Sequence, residues 1–136
     1  MSAKDSDRGE ESTYHVLVVD DDPSTVKIAT GVLETLDGIK VATASDGFEA
    51  GLQVVAFEPD LLILDLMMPG ADGFEVCRRI RRDPDLAQIK ILILTAHGTH
   101  ENLERVLEAG ADDFMHKPVD VERLRQQVRT LLGMEE

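Results

Sequence analysis

The sequence has little of what disulfide-bonded or membrane-spanning proteins need. It contains one cysteine in 136 residues, so no disulfide can form within the chain and a reducing compartment is expected. The apolar runs are short: the run 61–64 ends at Asp65, far below the about 20 residues of a membrane span. Residues 1–12 are polar and lack the apolar region of a signal peptide. We therefore expect a soluble, cytoplasmic protein with no membrane contact.

Basic residues are also scarce. The chain has 14 lysines and arginines against 27 aspartates and glutamates, a formal net charge of −13. Proteins that bind nucleic acid directly usually carry a basic surplus, so that function class is not expected. An acidic surplus suits a cation site or a basic partner, but it also serves solubility alone, and composition by itself favours solubility.

Two patterns alternate along the chain after residue 13: short apolar runs, and segments in which apolar residues recur at spacings of three and four. We expect residues 1–13 to be a disordered acidic tail, residues 14–132 to be one domain and residues 133–136 to be a short C-terminal tail. Within the domain, short apolar runs predict four strands, at 16–19, 39–42, 61–64 and 91–94. The run at 114–115 is weak by itself and is predicted to be a fifth strand from its place in the alternation.

Between these strands, apolar residues recur at spacings of three and four, which predicts five helices. The predicted apolar faces are Val26, Ala29, Leu33 and Leu36; Phe48, Leu52 and Val55; Cys77 and Ile80; Leu103, Val106 and Leu107; and Val121, Leu124, Val128 and Leu131. Aspartates stand where four helices begin, with approximate capping boxes at Asp46/Glu49 and Asp72/Glu75. The arginines at 78, 79, 81 and 82 are expected to stabilise the end of the third helix and to stay solvated.

Five strand–helix units predict an α/β fold, (βα)5, with a doubly wound parallel sheet. The common five-strand order is 2-1-3-4-5, in which strands 1 and 3 are neighbours and ligands bind beyond their carboxyl ends. Asp20, Asp21 and Asp22 follow strand 1, and Asp65 follows strand 3, so these acids are expected to converge. Oxygen ligands of this kind suit Mg²⁺. Any one of them alone would be read as a helix cap or a turn residue, and Asp22 is expected to be a cap.

Two further polar residues follow the last strands. Thr95 ends strand 4, where its hydroxyl can bind an anion or simply close a local turn. Lys117 follows strand 5, where an ammonium group can pair with a carboxylate or a phosphoryl oxygen. Pro118 keeps Lys117 out of the helical region.

These motifs together resemble the receiver domain of bacterial two-component response regulators, which has the flavodoxin-like strand order. The resemblance covers residues 14–132 and rests on four segments: Val16-Leu17-Val18-Val19-Asp20-Asp21-Asp22-Pro23, Leu61-Leu62-Ile63-Leu64-Asp65-Leu66-Met67-Met68-Pro69-Gly70, Leu94-Thr95-Ala96 and Lys117-Pro118. Each segment is weak evidence by itself. All four, in this order and at successive strand ends, are highly specific.

The resemblance implies a role for each site residue. Asp65 matches the phosphoacceptor, and Lys117 and Thr95 match the groups that contact the phosphoryl group. Mg²⁺ is implied as the cofactor, with Asp20, Asp21, Asp65 and the backbone carbonyl of Met67 as its ligands. Thr95 and Phe114 match the conformational switch, and the Lys117–Pro118 peptide is typically cis in this family.

The resemblance also implies partners. A sensor histidine kinase or a phosphotransfer protein would donate the phosphoryl group, and a downstream effector would read the result. If the chain is a piece of a longer regulator, its own output domain takes the effector's place. A phosphorylation-dependent homodimer through helix 4, strand 5 and helix 5 is a further expectation. Such a protein is not an enzyme beyond its own phosphorylation and dephosphorylation.

A second interpretation is a phosphohydrolase of the haloacid dehalogenase type with Asp20 as nucleophile. Residues 20–24 approximate its first motif of two aspartates separated by one residue. In that family the lysine should precede the distal acidic pair, whereas Asp112 and Asp113 here precede Lys117. Asp65 would have no role, and the chain has no room for a cap over the substrate. The receiver interpretation is therefore favoured.

Overall fold

The computed structural model describes residues 13–134, which form a five-stranded parallel sheet with helices on both faces. The strands are β1 (Tyr14–Val19), β2 (Ile39–Ala44), β3 (Leu61–Leu64), β4 (Lys90–Thr95) and β5 (Asp113–His116). The helices are α1 (Pro23–Glu34), α2 (Gly47–Phe57), α3 (Gly73–Arg82), α4 (His100–Ala109) and α5 (Val121–Leu132). The order in the sheet is β2-β1-β3-β4-β5, so the predicted fold class and strand order are confirmed.

The strands alternate their side chains between two apolar cores. Leu62 and Leu64 face the core under α2, α3 and α4, whereas Leu61 and Ile63 face the core under α1 and α5. Because both faces are covered, all four residues of β3 are buried. The four other strands extend past their apolar runs, since residues at their ends still join the backbone ladder. Among the described residues no helix has the length and hydropathy to cross a bilayer.

Side-chain oxygens cap every helix start. Asp22, Asp46, Asp72 and Asp120 each accept a backbone N–H of the first helical turn, as the sequence predicts. Thr99 does the same for α4, which the sequence analysis did not identify. Gly110 ends α4 in the left-handed region with φ 118°.

The predicted inner face of α2 is wrong. Phe48 and Val55 are 78% and 76% exposed, and the buried residues of this helix are Ala50 and Val54. The orientation of α2 follows from Gly47, because a Cβ there would lie 2.0 Å from the carbonyl oxygen of Gly70. That contact turns the larger side chains outward. Val121 at the start of α5 is likewise exposed rather than inward.

Glu75 does not close a capping box. Its carboxylate instead pairs with the guanidinium groups of Arg78, Arg79 and Arg82, which are 46%, 77% and 68% exposed. These three arginines are solvated, as predicted.

Arg81, in contrast, is not a solvated arginine. Its guanidinium donates to the backbone carbonyls of Ala87, Ile89 and Gly110. It also pairs with Asp112 at 2.8 Å. Arg81 therefore ties the end of α3 to the segments that precede β4 and β5.

Replacing Arg81 by methionine is expected to lower the free energy of unfolding by about 2 kcal/mol, because several carbonyls lose their donor while the apolar stem is kept. Arg82→Met is the matched control on the same helix and is expected to cost less than about 0.5 kcal/mol. Urea unfolding measures both. Equal losses in the two variants would contradict this role for Arg81.

The expected tails fall mostly outside the described residues, which exclude residues 1–12 and 135–136. Of the C-terminal segment, Gly133 caps α5, and Met134 packs against the core under α1 and α5.

Candidate functional site

The carboxyl ends of the strands bring four predicted site residues to one edge of the sheet. Asp20 directly follows β1 and Asp65 directly follows β3, while Thr95 is the last residue of β4. The backbone ladder continues across this edge: the Asp65 N–H donates to Val19 at 3.0 Å, and the Lys117 N–H donates to Thr95 at 2.9 Å. The positions of these side chains are therefore fixed by the sheet itself.

Three carboxylates meet at this edge. Asp20, Asp21 and Asp65 each offer one oxygen, and these three oxygens lie within 4.8 Å of one another. Asp20 and Asp65 are only 2% and 5% exposed, whereas Asp21 is open to solvent. Asp22 does not join them, because its side chain caps α1 and accepts from the Thr25 hydroxyl.

Lys117 brings the compensating charge. Its Nζ lies 2.9 Å from Oδ2 of Asp20 and 3.5 Å from Oδ2 of Asp65. Burial by itself lowers the pKa of Lys117, but the hydrogen bond to Asp20 and the two carboxylate charges outweigh burial, so the pKa of Lys117 is raised. The ammonium form is therefore the stable one.

The pKa of Asp65 is also raised. Burial is the larger cause, the charge of Asp20 adds to it, and Lys117 opposes both. Lys117 therefore does not fully offset the burial of Asp65 and the charge of Asp20. A cation bound among the three oxygens would relieve their repulsion.

The donor set fits a hard divalent cation. The three side chains offer oxygen only, and one of them is open to solvent, which suits an ion that keeps part of its water shell. Mg²⁺ has these preferences. Met67, whose carbonyl was a predicted ligand, follows closely in the chain, and its N–H donates to Oδ1 of Asp65 at 3.4 Å.

The two predicted switch residues lie on the neighbouring strands β4 and β5. Thr95 is fully buried, and its hydroxyl oxygen accepts from the N–H of His97 at 2.9 Å. Phe114 in β5 is half-buried and packs against the core under α2, α3 and α4. The ring of Phe114 lies edge-on to the ring of His116, with their centroids 6.1 Å apart. The Lys117–Pro118 peptide is cis.

The chain also matches a known protein family. The family model described as the response regulator receiver domain matches residues 16–129, which is most of the chain. The chain belongs to the response regulator receiver family. Its sheet order and the convergence of the acids at the carboxyl edge agree with that membership.

Relatives of this receiver are themselves response regulators. The chain is 43% identical over 117 residues to the DNA-binding dual master transcriptional regulator RpaA of Synechocystis, and the match covers 86% of this chain and 48% of RpaA. It is 40% identical over 116 residues to the response regulator PleD of Caulobacter vibrioides, covering 85% of this chain and 25% of PleD. The chain therefore spans about half the length of the first relative and a quarter of the second.

Solved structures give the same result. The signal receiver domain of a DNA-binding response regulator from Colwellia psychrerythraea matches with a TM-score of 0.84 and 32% identity, covering 89% of this chain and 99% of that one. A putative response regulator from Chloroflexus aurantiacus matches with a TM-score of 0.82 and 36% identity, covering 89% and 98%. The receiver interpretation is confirmed, and the haloacid dehalogenase alternative finds no support.

The receiver site also depends on a residue that the sequence analysis missed. Gly47 packs so closely on Gly70 that it holds the turn of a two-residue antiparallel ribbon, Met67–Met68 with Ala71–Asp72. This ribbon begins two residues after Asp65. The Asp46-Gly47 dipeptide was the available signal, since a glycine after a cap indicates a close backbone approach.

Proposed function

We propose that this receiver accepts a phosphoryl group on Asp65 and passes the change to its α4–β5–α5 face. The donor is a phosphohistidine of a sensor histidine kinase or a phosphotransfer protein. The observation that carries the proposal is the placement of Asp65 at the carboxyl edge of β3, beside Asp20, Asp21 and Lys117.

In the proposed reaction an oxygen of Asp65 attacks phosphorus and the phosphorus–nitrogen bond breaks. The electron pair of that bond leaves with the imidazole of the donor, which takes up a proton, and Asp65 becomes an acyl phosphate. Lys117 offsets negative charge on the transferring group. Such a protein catalyses only its own phosphorylation and, by attack of water on the acyl phosphate, its own dephosphorylation.

Asp20, Asp21, Asp65 and the Met67 carbonyl are the proposed ligands of Mg²⁺. When bound, Mg²⁺ supplies positive charge that neutralises the phosphoryl oxygens and orders them for in-line transfer. Asp20 also positions Lys117, because its carboxylate accepts a hydrogen bond from the Nζ of Lys117. The buried position of Asp65 excludes bulk water from the nucleophile.

The proposed switch begins at Thr95. Oxygens of a phosphoryl group on Asp65 attract the Thr95 hydroxyl, which in the present state accepts from His97. A movement of Thr95 frees space next to β5, and Phe114 turns into it. Phenylalanine keeps the rotating ring but brings no hydroxyl to the switch.

The domain bounds, the cellular location and the output of this receiver are also proposals. We assign the receiver unit to residues 14–132 and place it in the cytoplasm, where kinases of this class act. Its output is a downstream effector or an output domain in the same polypeptide, and a phosphorylation-dependent homodimer is a further output. RpaA is named as DNA-binding, whereas we assign no nucleic-acid contact to this unit.

Incubation with a small phosphoramidate donor and Mg²⁺ is expected to raise the intact mass by one phosphoryl group. Removal of Mg²⁺ with EDTA is expected to stop the gain, because the three acids would then repel the incoming phosphoryl group. A generic aryl phosphate is expected not to be turned over. Steady turnover of that ester without a labelled protein would contradict the proposal.

Beryllofluoride, an acyl-phosphate mimic, is expected to change amide exchange in residues 95–107 and 114–129. These residues include Thr95, Phe114 and Lys117 and the helices that lie over them. Asp65→Asn serves as the control that should not respond. Changes confined to α1 and α2 would place the output surface elsewhere.

A further inference from the structure

The outer side of α2 is an apolar surface that the proposed phosphoryl switch does not use. Phe48, Leu52 and Val55 lie one helical turn apart and are 78%, 57% and 76% exposed. We call these three residues the α2 ridge. Ridges of large exposed apolar side chains usually mark an interaction surface.

A cavity lies next to the α2 ridge, between α2 and α3. Its volume is about 210 Å³, and Gly51, Val54 and Ile80 are among its mostly apolar lining residues. An ideal Cβ on Gly51 meets nothing within 4 Å, so this glycine leaves the cavity open. For comparison, an apolar cavity of about 150 Å³ accepts a benzene molecule. The α2–α3 cavity can therefore accept one large apolar side chain.

The charge of this surface differs from that of the whole chain. Glu49 is the only charged residue in α2, although the chain carries a net charge of −13. On α3, three exposed arginines share one carboxylate, that of Glu75. One of them, Arg79, also lines the α2–α3 cavity. Repulsion between two copies of this acidic protein is therefore reduced at this surface.

We propose that the α2 ridge and the α2–α3 cavity form a two-fold interface between two copies of this chain. A two-fold interface needs one surface that complements itself, and each copy offers both a ridge and a neighbouring cavity. With the two α2 helices antiparallel, Leu52 of each copy packs toward the cavity of the other.

Charge favours the same arrangement. Helices α2 and α3 both leave the carboxyl edge of the sheet and run in the same direction, so Glu49 lies near that edge and Arg79 lies toward the opposite end. A two-fold axis across α2 therefore brings Glu49 of one copy toward Arg79 of the other. A second copy of this chain is therefore a sufficient partner for the surface, since it supplies the opposite member of the Glu49–Arg79 ion pair.

Sedimentation velocity from about 10 µM to about 1 mM tests the proposal. The parent chain is expected to form a dimer without beryllofluoride, and Leu52→Glu is expected to raise the dissociation constant at least about tenfold. Ile28→Glu on α1 and Val121→Glu on α5 are matched controls, because both residues are exposed and apolar but lie away from α2. Both controls are expected to dimerise like the parent.

A second pair of variants tests the cavity. Gly51→Leu fills it and is expected to weaken the dimer at least about tenfold. Gly31→Leu is the control, since Gly31 is also a helical glycine with open space around it, but it lies on α1. Leucine is a better helix former than glycine, so neither variant is expected to melt below the parent.

Three outcomes would overturn the proposal. If the parent chain stays monomeric at every concentration, the partner of the α2 ridge is another protein and not a second copy. A dimer unaffected by both Leu52→Glu and Gly51→Leu would form through a different surface. A dimer that appears only with beryllofluoride and is lost in Val121→Glu would form through the α4–β5–α5 face, which would leave the proposed function standing.

Discussion

Replacing Asp65 by asparagine is expected to abolish phosphoryl uptake, with a loss of at least about a thousandfold in rate. An amide oxygen is a far weaker nucleophile than a carboxylate oxygen, while the shape of the side chain is unchanged. Because Asp65 is buried beside Asp20 and Lys117, loss of its charge also relieves repulsion, so the variant is expected to fold. Intact mass after incubation with a phosphoramidate donor and Mg²⁺ gives the rate.

Two other variants test whether the loss of phosphoryl uptake is specific to Asp65. Asp37→Asn removes one exposed carboxylate and is expected to be phosphorylated like the parent. Asp20→Asn removes a proposed metal ligand and the closest partner of Lys117, so its uptake is expected to be slow but still on Asp65. If Asp65→Asn gained phosphate as fast as the parent, or if label mapped to Asp20, the assignment of Asp65 would be wrong.

Magnesium is expected to stabilise the fold by about 2.7 kcal/mol when its concentration is about 100 times the dissociation constant. The reason is mass action: the three carboxylates converge only in the native state, so the ion binds that state and not the unfolded chain. Thermal unfolding at increasing Mg²⁺ measures the gain. The melting temperature of the parent is expected to rise with concentration.

Asp21→Ala tests whether the gain comes from the site. Asp21 is exposed, so its removal is expected to cost little stability without Mg²⁺ and to flatten the dependence on Mg²⁺. Asp37→Ala, which removes an exposed carboxylate elsewhere, is expected to keep the full rise. An equal rise in Asp21→Ala and the parent would mean that Mg²⁺ only screens the net charge of −13.

Local patterns account for most of what could be predicted about the fold. Apolar runs such as 61–64 predict buried strands because both faces of a covered parallel sheet exclude water. Aspartates before helices predict caps because the first N–H groups of a helix need acceptors. The weakest strand, β5, has a short apolar run and was predicted only from its place in the alternation.

Errors arose where a distant contact overrides the local pattern. The spacing of Phe48 and Leu52 is that of a buried face, but the approach of Gly47 to Gly70 turns this face outward. Arg81 stands in a run of solvated arginines, yet carbonyls from two other segments surround it. The Asp46-Gly47 dipeptide hints at a close approach but does not identify Gly70 as its partner, and nothing near Arg81 in the sequence identifies the carbonyls that it binds.

The sequence by itself determined the (βα)5 fold, four of the five helix starts and the edge of the sheet at which Asp20, Asp21, Asp65 and Lys117 meet. These features depend on burial and on strand order, and both are encoded in local periodicity and short connections. Only the tertiary structure decided that Lys117 pairs more closely with Asp20 than with Asp65, at 2.9 Å against 3.5 Å, and that the large apolar side chains of α2 face solvent. Distances between side chains on different strands, and the rotation of a helix on its sheet, are set by the packing of the whole molecule.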